Sequence, residues 1–504
     1  MGVPEEIRAI PRPKNTVVYL SIDGRYLVVK KSSRRVAGKK NAQPYSLGTI
    51  GEIVDGQYKE IRKEPIRTID DVKNKNRGVN RRVSLKDYAH VQLAYNLSQD
   101  LYSDLLASFK IDDAKKMYCI ALLRSIDIDI RDRDIEFIYS TSYLSELMPH
   151  VALSKNTISS SLKGIGMEYH LIKDFLTNRA KKFEGYTQVI DGTLIDNNGT
   201  VNSFSEFSRK GRIKGTTEES ILYSYDLKTK EPVTIKLYSG NVTDARSIKD
   251  FIISFHVENG LLIMDKGFGG ANNIELFKSI EGLSYIIPLK KDAKLIKDNK
   301  AYDDLLTPIK YQDKLLFSKA SKLKDNTYLY SFKDTYLALE EEKAFIERRM
   351  KDGTYNKEEY EKEKDKFGVI VFHSNKELSL LEVYEAYASR WEIETMFKMM
   401  KDILDLDTSN VHSDYSNITT QFINFLSVII ATKMKNKFKE TILYKKKNKE
   451  GKIVEKTIAD EYSYRQIIRY LSKVKKIKEK DGTWETNYPA NCKYVEELCL
   501  ALGV

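Results

Sequence analysis

Residues 387–401 read YASRWEIETMFKMMK, and this stretch decides how the rest of the chain is read. At about 100° per residue, with Tyr387 at zero, Arg390 falls near −60°, Glu394 near −20° and Lys401 near −40°. Four polar, reactive side chains share one narrow helical stripe. Ile393, Phe397, Met400 and Leu404 lie beside it, between roughly −80° and −140°, and form an apolar face. Glu392, near 140°, points away. The spacing therefore predicts a helix that buries one face and holds a row of charged groups at the edge of that face.

The strand-like FGVIVFH (367–373) precedes this helix. Further upstream, YTQVID (186–191) and GLLIMD (260–265) read as apolar strands that end in Asp191 and Asp265. Between and after them come a hairpin over 220–240, an amphipathic helix over 244–257, a helix at ANNIELFKSI and the strand SYIIPLK. Strand, hairpin, helix, strand, helix, strand is the order of a mixed α/β sheet, whose strand ends carry functional side chains. Taken singly, each Asp is also a common turn former. With Glu394 they are three carboxylates on three separate elements, a set that suits a pair of hard, oxygen-seeking cations such as Mg²⁺ (or Mn²⁺). Two such ions in one site serve in-line phosphoryl displacement. Arg390 offers a planar fork to a phosphate, Lys401 a point charge, and Tyr387 a phenol that can hydrogen-bond a phosphate or stack on a base.

The 504 residues carry 84 Lys and Arg against 72 Asp and Glu, a net charge of +12. That length predicts two to four domains. Basic clusters at 29–40, 73–82, 208–215 and 444–452 point to a polyanion, with double-stranded DNA the first candidate; solvated lysine faces are the plain alternative. Three scattered Cys give no disulfide framework, and no His or Cys pair has zinc-ligand spacing. The N-terminus lacks a signal-peptide core, and the most apolar run, FINFLSVIIA (422–431), is about half of what a membrane span needs. A soluble cytoplasmic protein is expected.

Residues 1–85 read as a basic, β-rich DNA-binding module with Asp-Gly hairpin turns. Residues 86–183 read as helical, and within them 140–166 fit either a helix-turn-helix or an ordinary helical hairpin, with Ser154 as a cap and Gly164 as a stop. Residues 290–366 interrupt the sheet with short strand-like pieces and a strongly charged helical stretch. The part after about 435 reads as helices with basic linkers.

YASRWEIETMFKMMK matches the Y-x2-R-x3-E-x6-K signature of the DDE transposases of the insertion sequence four group. VIDGT and IMDKGF resemble that family's segments around its first and second catalytic aspartates, and the similarity covers roughly residues 184–435. The resemblance implies a ribonuclease H-like core over 184–289 and 367–435, interrupted by a mostly β insertion. It implies Asp191, Asp265 and Glu394 as metal-binding catalytic residues and Tyr387, Arg390 and Lys401 as DNA contacts. Lys266 stands where many relatives have Arg and keeps the charge. The implied activity is binding of terminal inverted repeats, cleavage at the element ends and transfer of 3′-hydroxyls into target DNA, by a homodimer assembled on the ends in a prokaryotic cytoplasm. A catalytically inactive descendant that only binds DNA and a metal-dependent endonuclease on the same core are the alternatives.

Overall fold

The computed structural model describes all residues except 1–2, 22, 36–40, 62–83, 128–129, 200, 209–210, 212–214, 243, 448–452 and 480. The basic run at 73–82 lies outside the described residues, and those at 29–40, 208–215 and 444–452 lie partly outside them. The chain divides into two compact units, Met1–Val83 and Ser84–Val504.

In the first unit, strands β1 (Thr16–Leu20), β2 (Tyr26–Arg34), β3 (Gln43–Val54) and β4 (Gln57–Glu60) pair antiparallel in chain order. At the β3–β4 turn, Asp55 and Gly56 take φ of 53° and 72°, the left-handed pair that a tight hairpin requires. Val18, Val28 and Ile53 form its small core.

The second unit starts with β5 (Leu85–Asp87) and a helical layer that includes α1 (Ile111–Ile126), α2 (Lys155–Met167) and α3 (Tyr169–Lys182). A mixed sheet follows. Its strands are β6 (Thr187–Asn197), β7 (Glu218–Asp226), β8 (Glu231–Ser239), β9 (Gly260–Met264), β10 (Leu283–Pro288), β11 (Thr307–Tyr311), β12 (Lys314–Lys322), β13 (Tyr328–Asp334), β14 (Val369–Ser374) and β15 (Thr408–Ser409). They lie in the order β8-β7-β6-β9-β10-β14-β13-β12-β11, with β15 beside β6. The β6, β9 and β10 strands are mutually parallel, β7 pairs antiparallel with β6, and β8 pairs antiparallel with β7. Residues 307–334 extend that sheet by antiparallel pairing onto β14, and the helix Thr335–Lys351 that follows them buries no residue.

Helix α4 (Asp244–Phe255) connects β8 to β9, and α5 (Leu380–Ala388), α6 (Trp391–Lys398) and α7 (Asp414–Glu440) follow β14. The apolar run at 422–431 is the centre of α7, buried on every side in one core shared by the sheet and the helical layer. No described helix is long and apolar enough to cross a membrane.

Three sequence readings are corrected. The strand that holds Asp191 does not end there. It runs on to Asn197 because TLIDN keeps the period-two pattern and pairs with β7 as far as Asp196↔Glu218. Residues 387–401 are not one helix. Tyr387 lies in the last turn of α5, which ends at Ala388, Ser389 and Arg390 form a tight turn with Arg390 N–H on the Tyr387 carbonyl, and Met399–Ile403 form a π-turn after α6. The region after 435 is not wholly helical. Ile442–Lys447 pairs with Ile453–Thr457, and Lys475–Lys478 pairs with both Trp484–Asn487 and β5, lysine-rich strands whose short period-two pattern reads as linker.

Two contacts fasten α7. Ser154 caps α2 through Thr157 N–H, and α2 runs past Gly164 to bring Gly166 against the start of α7. A Cβ at Gly166 would lie 1.9 Å from the Tyr415 carbonyl oxygen, whereas one at Gly164 meets nothing within 4 Å. Gly166→Ala should therefore cost about 1–3 kcal/mol and lower the thermal midpoint, while Gly164→Ala should leave it unchanged or slightly raised; equal midpoints for the two variants would contradict this close approach. On β7, the fully buried Glu219 accepts hydrogen bonds from Asn197 Nδ2 at 2.7 Å and from Asn417 Nδ2 of α7 at 2.5 Å. Burial pushes its carboxyl up to about 7, against the pull of the amides. A raised carboxyl stabilises the fold at acid pH and loses that contribution as pH rises from about 4.5 through 7. Denaturant titrations should show the unchanged chain losing up to about 3 kcal/mol over that window and Glu219→Gln losing much less.

Candidate active site

The parallel β6–β9 register ends at Ile190↔Met264, so the next residue on each strand is an aspartate. Asp191 and Asp265 therefore stand on neighbouring strands about 4.8 Å apart. Asp191 sits in mid-strand with its backbone opposite Tyr223 of β7, and Asp265 leads into a short 3₁₀ turn, Lys266–Phe268. Strand geometry alone brings these two carboxylates together.

The third carboxylate arrives by helix. Ser379 and Glu382 make a reciprocal capping box that starts α5 directly after β14. The chain turns at Ser389–Arg390, and α6 then lays Ile393, Met396 and Phe397 into the core. Tyr223 seats this helix: its ring meets Phe397 edge-on at 5.6 Å and its hydroxyl donates to Met400 Sδ at 3.4 Å. Glu394 is left at the rim, one-third exposed.

Arg390 ties the group together. Its Nη1 lies 3.3 Å from Asp191 Oδ2 and its Nη2 lies 2.7 Å from Glu394 Oε1. Its guanidinium also stands 5.6 Å from the ring centre of Tyr387, which leans on Phe372 of β14. Burial works against the charge on Arg390, but Tyr387, Asp191, Glu394 and Asp265 outweigh it and raise its pKa. Burial likewise raises the Tyr387 phenol, with Arg390 opposing and Asp265 adding to the rise. The structure thus brings Asp191, Asp265, Tyr387, Arg390 and Glu394 into one cluster.

The remaining predicted residues lie around it. Lys266 is exposed next to Asp265. Lys401 lies in the π-turn, 9% exposed, with its ammonium donating to the Leu194 carbonyl at 2.5 Å, three residues along β6 from Asp191. Glu392 points elsewhere, to Lys230 at 3.7 Å. Sequence reasoning missed the Tyr223 seat, because β7 is buried along its whole length and carries no alternation to mark one face.

Among the described residues, no group of three or more His, Cys, Asp or Glu side chains is arranged to hold a metal ion. The donor chemistry nevertheless fits one. Three carboxylates offer hard oxygen ligands, and the cation that two of them share is the Arg390 guanidinium.

Residues 182–430 match the family model described as Transposase DDE domain. This segment is similar to a transposase DDE domain. All three carboxylates fall within it. No curated protein matches the chain. Among solved structures, the cryo-EM structure of the piggyBac transposase synaptic complex with hairpin DNA is similar at 12% identity and a TM-score of 0.40, over 77% of this chain and 80% of that one.

If the guanidinium occupies a cation's place in the DDE domain, removing it frees two ligands. Arg390→Gln should bind Mn²⁺ several-fold more tightly than the unchanged chain when DNA is absent, read by titration calorimetry. Equal or weaker binding would mean that Arg390 does not compete.

Proposed function

We propose that this chain is a DNA transposase of the insertion sequence four group. In this reading it binds the terminal inverted repeats of its element, cleaves at the ends and joins the freed 3′-hydroxyls to target DNA. The observation that carries the proposal is the convergence of Asp191, Asp265 and Glu394 around Arg390, within the segment that matches the DDE domain.

Asp191, Asp265 and Glu394 would hold two Mg²⁺ (or Mn²⁺) ions, which supply charge stabilisation and orientation for in-line phosphoryl displacement. The chain's own groups do the positioning. The Arg390 fork, freed from the carboxylates, grips a phosphate with two parallel hydrogen bonds. Tyr387 keeps its proton because its pKa is raised, so it donates to a phosphate oxygen rather than repelling it. Lys266 adds an exposed charge beside Asp265. Lys401 fixes β6 next to Asp191 through the Leu194 carbonyl, and from there its charge acts on the same phosphate. Double-stranded DNA is the partner at the element ends and at the target. A homodimer on two ends, in a prokaryotic cytoplasm, completes the assembly.

Cleavage of a plasmid carrying the element ends tests this. Asp191→Ala, Asp265→Ala and Glu394→Ala should each retain end binding in a mobility-shift assay and lose cleavage by at least a hundredfold, while Glu392→Gln should cleave like the unchanged chain. Strong metal-dependent cleavage by all three alanine variants would refute the assignment. Failure of the unchanged chain to cleave with either Mg²⁺ or Mn²⁺ would favour a DNA-binding descendant without chemistry.

A further inference from the structure

A second basic site lies at the other end of the π-turn. A cavity of about 450 Å³ opens between β5 and the helix Tyr464–Leu471, in the region where helices and short lysine-rich strands follow the DDE domain. Arg465 and Arg469 stand one turn apart on that helix, and Lys473 follows it, so three cations line one wall. Lys475 also lines the cavity but is committed to Asp87 by an ion pair.

The other cations are not neutralised in this way. The Arg465 guanidinium donates to the backbone carbonyls of Asp402 at 2.5 Å and Ile403 at 3.4 Å, contacts that position it but leave its charge unbalanced. Arg469 and Lys473 are exposed and form no ion pair with the described residues. Asp127 is the one further carboxylate in the lining. The cavity wall therefore carries an excess of positive charge.

The second observation is independent of charge. His90 lines the same cavity, is 7% exposed and has no hydrogen-bond partner for its Nδ1. An unsatisfied buried nitrogen is destabilising unless a ligand or water meets it. Burial pushes the imidazole down to about 4, so at neutral pH it is uncharged and can donate one N–H without adding a cation. A fork, a point charge and a neutral donor around one cavity form a complementary set for a phosphate's oxygens.

We propose that this cavity, lined by His90, Arg465, Arg469 and Lys473, binds a backbone phosphate of double-stranded DNA at a place separate from the carboxylate site. The choice of DNA rests on the function proposed above, whereas the anion chemistry does not. Arg465 also holds the carbonyls at the end of the π-turn, so one side chain links the cavity to the element that carries Lys401.

The test is equilibrium binding of the full chain to a fluorescent 40-base-pair duplex of unrelated sequence, followed by anisotropy across a KCl titration. Arg469→Ala with Lys473→Ala should weaken binding and make the slope of log affinity against log salt shallower by about 1–2, near 0.9 per lost phosphate contact. Arg469→Lys with Lys473→Arg should keep the slope, as should Lys343→Ala with Lys351→Ala on the exposed Thr335–Lys351 helix. An unchanged slope in the first pair, or no duplex binding by the full chain, overturns the inference. Protection of the unchanged chain from thermal unfolding by inorganic phosphate, lost in the alanine pair and accompanied by an unchanged duplex slope, assigns the cavity to free phosphate and also rejects the DNA site. Plasmid cleavage read on the same preparations separates the two claims: cleavage with an unchanged slope discards the cavity alone, and absence of both discards the transposase reading.

Discussion

The parallel pairing of β6 with β9 is the constraint on which everything else in the second unit depends. It sets Ile190 beside Met264 and hence Asp191 beside Asp265. A slip of one residue would turn one of the two carboxylates to the opposite face of the sheet. The register is held from several sides, since β6 also pairs with β7 over nine residue pairs and with β15 at its end. Below that end, Glu219, Asn197 and Asn417 tie the sheet to α7 by buried hydrogen bonds. A strand fixed this firmly can carry a charged residue in mid-course without fraying.

Charge balance explains why the third carboxylate joins the first two. Three carboxylates close together repel unless a cation lies between them, and Arg390 from the α5–α6 turn provides it for Asp191 and Glu394. The helix is not held by this contact alone. Tyr223, Phe397 and Met400 seat its apolar face on the sheet, so Arg390 can exchange partners without the helix leaving. The tight turn and the π-turn on either side of α6 adjust where Tyr387 and Lys401 come to rest.

Much of this was legible in the sequence. The apolar stripe of Ile393 and Phe397 and the polar row of Arg390 and Glu394 lie where helical spacing put them, because those residues fall on α6 and its N-cap with no break between them. The longer extrapolation to Tyr387 and Lys401 assumed an unbroken helix, and neither the turn at Ser389 nor the π-turn has a composition that marks it. The end of β6 was misplaced because Gly192 reads as a turn signal, whereas in the structure it continues the pairing opposite Leu222. The strands at 442–447 and 475–478 were hidden by lysine, since exposed short strands lack the apolar alternation that reveals a half-buried one. Nothing local could show Glu219 as a buried carboxylate, because its amide partners lie on β6 and α7, as far as 198 residues away.

The proposed chemistry requires Asp191, Asp265 and Glu394 to form one cation site from which Arg390 is displaced onto DNA. A structure of the full chain with Mn²⁺ and a duplex ending at the element's terminal repeat tests it most directly, through the anomalous signal of the metal. Manganese bound by all three carboxylates, with the Arg390 guanidinium moved from Asp191 to a phosphate, is the expected result. Manganese absent from these carboxylates, with Arg390 still bridging Asp191 and Glu394 beside bound DNA, would contradict it.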